Sequence, residues 1–163
     1  MNIKKPKSRE PKRFMIKIDL NENLKIQFQQ DGFLIYDNFL EGQFIPNLIE
    51  KFPKLFSGDF ETGIEPDEWN WKYGRDPENI TRQICNAWKS DNLIKDLVCH
   101  EVLGKACAEL MNWNGSRLLQ DNILWKPPGG KTLAYHQDAA YDDWIFPQTM
   151  MTCWIPLDHV SRE

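Results

Sequence analysis

The residues best suited to chemistry in this chain of 163 residues are His136 and Asp138, two apart in "LAYHQDAAYDDW" (residues 133–144), just after "KPPGGK". In extended backbone, alternate side chains share a face, so the pair points one way with Cα atoms roughly 6–7 Å apart. A neutral imidazole nitrogen and a carboxylate oxygen held side by side suit a borderline divalent cation. With a second histidine they make the facial triad of non-haem Fe(II) sites, which leaves coordination positions open. The chain holds three histidines, so the others are His100 and His159. His100 lies among apolar residues in a helical stretch and reads as a packed histidine. His159 follows Asp138 by 21 residues, where "CWIPLDHV" enters a turn, and is a poor ligand candidate. In so acidic a composition a His-x-Asp tripeptide also arises by chance, so the spacing alone decides nothing.

The elements that must position this pair belong to a chain of one-domain length. Its apolar fraction of 41% and seven Trp fit a packed protein rather than a disordered one. Residues 1–13, "MNIKKPKSREPKR", hold six Lys or Arg against one Glu and read as a basic disordered arm of charge +5; with a total of −4, the rest carries −9. An acidic body argues against a nucleic-acid groove. No apolar run approaches the roughly 18 residues of a spanning helix, and no secretion-type core follows the arm. The expectation is a soluble cytoplasmic protein with no nucleic-acid or membrane partner. The spacings of Cys85, Cys99, Cys107 and Cys153 match no zinc or redox motif, so they read as buried free thiols.

After the arm, "FMIKIDL" alternates like a strand, and residues 21–40 read as helix, Asp31-Gly32 turn and strand "FLIYD". Phe44, Leu48 and Phe52 share a helical face that Pro53 should end or kink. Residues 57–79 read as a long loop. Ser90 or Asp91 can cap a helix through Val98, and a second helix runs from Glu101 to Met111, with Gly115 suited to the left-handed position beyond its end. From Arg117 the texture changes: "RLLQDNILW" and "TMMTCWIPLDHV" are strand-like runs separated by "KPPGGK", in which Pro128-Gly129 suits the centre of a type II turn. Two such strands cannot cover their own apolar faces, so the sheet is expected to be incomplete within these residues.

The stretch "LLQDNILWKPPGGKTLAYHQDAAYDDWIFPQTMMTCWIPLDHVSRE" resembles the central motif of the phytanoyl-CoA dioxygenase family, in which a strand ending Lys-Pro-Pro-Gly precedes His-Gln-Asp and a Trp-containing strand follows. "FQQDGFLIYDNFL" is similar to the family's opening. The resemblance implies an α+β chain built on a double-stranded β-helix, the cupin-like jelly-roll, with an N-terminal helical buttress up to about residue 115 and the first core strands in 117–163 of a domain spanning 14–163. It also implies an Fe(II)- and 2-oxoglutarate-dependent oxygenase that hydroxylates a small organic substrate, with ascorbate as an accessory reductant. His136 and Asp138 carry over as iron ligands, and Asn122, Lys126 and Trp154 as candidates for lining the 2-oxoglutarate pocket. Tyr135, Tyr141 and Trp144 flank the metal motif as candidate substrate walls. The family's second iron histidine and its 2-oxoglutarate arginine carry over onto no residue here, so the chain alone is expected to be inactive. Substrate identity and oligomeric state are not legible. The rival readings are a truncated, non-catalytic remnant or interaction module, and a cupin-type metal-binding protein that does not use 2-oxoglutarate.

Overall fold

The computed structural model describes residues 15–130 and 134–160, so the basic arm lies outside the described residues. Five helices and one small antiparallel sheet make up the described chain: α1 (Glu22–Asp31), α2 (Phe44–Ile49), α3 (Phe52–Ser57), β1 (Glu68–Trp69), β2 (Arg82–Cys85), α4 (Asn92–Val98), α5 (Glu101–Leu110) and β3 (Asn122–Trp125). This is an α+β arrangement with sheet order β1-β2-β3.

The helices begin where short polar side chains can satisfy the first free N–H groups. Asn21 caps α1 by accepting from the Leu24 N–H, and Asp91 caps α4 by accepting from Leu93 and Ile94. Gly32 closes α1 in the left-handed region, as the Asp31-Gly32 signal predicts. Two expectations need correction. The break in the 44–57 region comes at Glu50–Lys51, ahead of Pro53, and Pro53 sits in the first turn of α3, where its missing N–H costs no helical bond. Beyond α5 it is Asn112 (φ 53°), not Gly115, that adopts the left-handed conformation, while the Trp113 N–H returns to the Ala108 carbonyl at 2.8 Å.

The core sits between α2, α3 and α4 and one face of the sheet. Phe44, Leu48 and Phe52 are all buried, as their spacing predicts, together with Leu55, Phe56, Ile94 and Leu97. Burying each such side chain contributes about 1.5–3 kcal/mol. β2 pairs with β3 so that Arg82 faces Trp125, Ile84 faces Ile123, Gln83 faces Leu124 and Cys85 faces Asn122. Because strand side chains alternate, Arg82, Ile84, Ile123 and Trp125 turn toward α3, and Gln83, Asn122 and Leu124 turn to the opposite side. The sequence reading had no strand at 82–85. Arg82 can be buried there because its guanidinium stacks between Trp71 (3.8 Å) and Trp125 (4.4 Å) and donates to Glu78.

The two outer strand expectations are only partly met. "FMIKIDL" contributes one antiparallel bridge, Ile16 to Leu40, with the Lys17 N–H on the Phe39 carbonyl at 3.0 Å. "FLIYD" forms no strand and leaves Phe33 and Ile35 exposed. Residues 149–157 form no ladder with any described residue. The expected turn is present: the Gly130 N–H donates to the Pro127 carbonyl at 2.9 Å, with Gly129 at φ 76°. No helix among the described residues is long and apolar enough to cross a membrane. The cysteines are free, but Cys99 and Cys153 are exposed rather than buried, because neither packs into the cluster between the helices and the sheet.

Candidate metal centre

β3 runs out through Lys126 into the Pro-Gly turn, and the chain re-enters the described structure at Ala134, outside any helix or strand. Gln137 is extended (φ −114°, ψ 130°), and Asp138 opens a single 3-10 turn, Asp138–Ala140. That turn is closed by the Tyr141 and Asp142 N–H groups donating to the Asp138 carbonyl at 2.9 and 3.1 Å. The extended Gln137 and the turn after it bring the two side chains together, with His136 Nε2 3.4 Å from Asp138 Oδ1.

Each side chain is held from behind. His136 Nδ1 lies 2.9 Å from the Ala134 carbonyl oxygen. A carbonyl only accepts, so Nδ1 carries the hydrogen, and in the neutral ring Nε2 presents its lone pair to Asp138. The Thr152 hydroxyl donates to Asp138 Oδ2 at 3.0 Å, which leaves Oδ1 toward the histidine. Tyr141 packs edge-on against the imidazole, ring centroids 5.8 Å apart. Two electron-pair donors facing each other repel unless a proton or a cation sits between them. Two donors at about 2.1 Å from one cation, at a cis angle of roughly 90–109°, lie about 3.0–3.4 Å apart. The observed separation fits that span, and both donors have the outer hydrogen bonds that orient metal ligands.

The pair opens into a groove of about 2970 Å³. Asn122 and Lys126 line it from the outward side of β3 and its exit, and Tyr141 and Trp154 line it beside the pair. A closed small-molecule pocket is roughly 300–1,000 Å³, so this is an open trough rather than a formed cavity. Asn122 accepts from the Gln83 side chain at 3.0 Å, and Lys126 is exposed. Tyr135 and Trp144 do not line the groove and are exposed. No group of three or more His, Cys, Asp or Glu comes together as a metal cage among the described residues. His100 instead caps α5, its Nδ1 accepting from the Val102 N–H at 3.3 Å. Thr152 was not singled out by the sequence reading; its one signal is a hydroxyl inside the otherwise apolar "MMTCWI".

A profile of the phytanoyl-CoA dioxygenase (PhyH) family matches residues 28–163, covering both the helical opening and the His-Gln-Asp segment. No curated protein and no solved structure matches the chain. With the match extending over most of its length, the chain belongs to the phytanoyl-CoA dioxygenase family.

Proposed function

We propose that this chain carries two of the three protein ligands of an Fe(II)- and 2-oxoglutarate-dependent oxygenase that hydroxylates a small organic substrate. The observation that carries the reading is the convergence of His136 Nε2 and Asp138 Oδ1 at 3.4 Å, each braced by an outer hydrogen bond, in a chain of this family. When bound, Fe(II) with 2-oxoglutarate and oxygen supplies the oxidising power that hydroxylates a C–H bond. The protein's own work is to hold and exclude. His136 keeps its hydrogen on Nδ1 and its lone pair on Nε2. Asp138 offers Oδ1 as the anionic donor.

Lys126 and Asn122, on the same side of β3 as the groove, suit a dicarboxylate: an ammonium for charge and an amide for orientation. Trp154 and Tyr141 supply apolar walls beside them, and Tyr135 and Trp144, which flank the His-Gln-Asp segment, are candidates for further substrate walls. In this reading β1–β3 and residues 149–157 belong to a double-stranded β-helix, buttressed by α1–α5, within a domain spanning 14–163. A facial site needs one more histidine and the far carboxylate needs a cationic partner, so turnover requires groups beyond His136 and Asp138.

The test is anaerobic retention of labelled 2-oxoglutarate by the chain with and without Fe(II). Retention that needs Fe(II) and disappears in His136→Ala and Asp138→Ala is expected. Metal retention without 2-oxoglutarate would favour a cupin-type metal-binding protein, and retention of neither would favour a non-catalytic module.

A further inference from the structure

Asp138 is half exposed, and a carboxylate on a two-carbon side chain turns freely about its last torsion unless something holds it. Thr152 holds it. Its hydroxyl reaches Oδ2 at 3.0 Å from a residue fourteen places further along the chain. A threonine is β-branched and stiff at χ1, so the direction of its Oγ1 follows the backbone of residues 149–157. The hydroxyl donates one hydrogen to a charged acceptor, a stronger bond than between neutral groups. With Oδ2 engaged, the free oxygen Oδ1 is the one that faces His136 Nε2 at 3.4 Å. The base of the intervening loop is closed in the same place, where the Gln148 side chain donates to the Ala139 carbonyl at 3.2 Å.

We propose that Thr152 is the positioning residue of the metal centre: by occupying Oδ2 it makes Asp138 a one-oxygen ligand through Oδ1 and ties the ligand to segment 149–157. The inference rests on the reading of His136 and Asp138 as metal ligands. Two consequences separate it from a purely structural role. Removing the hydroxyl weakens metal binding without lowering the melting temperature, since Thr152 is exposed and buries little surface. Serine, which keeps the hydroxyl but not the stiffness, restores most of the affinity.

The experiment is a titration of the chain with Co(II), followed by the absorption of the bound ion, alongside thermal melts of the metal-free proteins. Thr152→Val preserves shape and removes the donor, and is expected to weaken Co(II) binding by about 10- to 100-fold, the usual loss for an outer-shell partner. Thr152→Ser is expected within a few-fold of the original, and both variants should melt with the parent. His136→Ala and Asp138→Ala serve as the reference for lost ligands. Thr152→Val binding like the parent, while the two ligand variants fail, would overturn the positioning role and leave the metal reading intact. Co(II) binding that ignores His136→Ala and Asp138→Ala, or no binding by the parent, would overturn both.

Discussion

Gly58 and Trp69 are packed so closely that a Cβ placed on the glycine would stand 2.5 Å from the indole Cη2. Gly58 ends α3 at φ 85°, and the indole fills the space a side chain would occupy while packing edge-on against Phe60 at 5.3 Å. This contact joins the helical layer to β1.

Gly58→Ala is therefore expected to cost more than the left-handed backbone alone, about 2–4 kcal/mol with the displaced indole included. Gly63→Ala provides the reference, because Gly63 has a similar φ of 72° and nothing within 4 Å of the added Cβ. It should cost only about 1 kcal/mol. Urea midpoints of the two variants give the comparison; equal losses would mean that Trp69 moves aside without penalty.

Asp91 is nearly fully buried and does two jobs. Its Oδ1 accepts from the Leu93 and Ile94 N–H groups at 2.8 and 3.1 Å, and its Oδ2 pairs with Lys51 at 3.1 Å. Asp91→Ala orphans both N–H groups and removes one of the two carboxylates on Lys51, whose ammonium keeps Glu61 at 2.9 Å, and should lower stability by about 2–3 kcal/mol. Asp91→Asn keeps the cap acceptor and should lose less. A calorimetric melt of both variants checks the order; an equal loss would assign the whole effect to the Lys51 pair.

Asp121 gives a pH dependence. Burial pushes its carboxyl above the usual aspartate range, against the backbone N–H groups of Trp88 and Ala87 that favour the charged form. Its Oδ2 has no partner. A carboxyl with a raised folded-state pKa contributes stability that is complete below its unfolded value and lost as pH rises through the folded value. The parent should therefore lose stability relative to Asp121→Asn as pH climbs past the unfolded aspartate pKa of about 3.9 and through the raised folded-state value. Parallel stability curves for the two proteins would show that Asp121 ionises in the folded chain as freely as in the unfolded one.

The parts of the fold that were legible in the sequence are those set by local chemistry. Asn21, Gly32 and Asp91 mark helix ends through hydrogen bonds made within a few residues, and Phe44, Leu48 and Phe52 declare a buried face by spacing alone. β2 was not legible, because "RQIC" has no alternation to read and Arg82 is inside only because Trp71 and Trp125, eleven residues before it and forty-three after it, close over its two faces. Residues 149–157 carry the composition of a strand, but a strand is made by its partner, and none of the described residues pairs with them. At the candidate site the His-Gln-Asp spacing foretold that His136 and Asp138 share a side. It carried no information about the Ala134 carbonyl or the Thr152 hydroxyl, which act through the folded backbone.

The most direct test of the central claim, that a divalent cation sits between His136 and Asp138, is the paramagnetic broadening of the ¹H–¹⁵N spectrum of the chain on adding substoichiometric Mn(II). Broadening falls steeply with distance, so it maps the ion. The account predicts that the amides of Gln137, Asp138, Ala139 and Thr152 broaden first, that Ile84 and Leu97 on the core side stay sharp, and that Asp138→Ala abolishes the selective effect. Broadening centred on another acidic group such as Asp67 and Glu68, or the same pattern in Asp138→Ala, would contradict it.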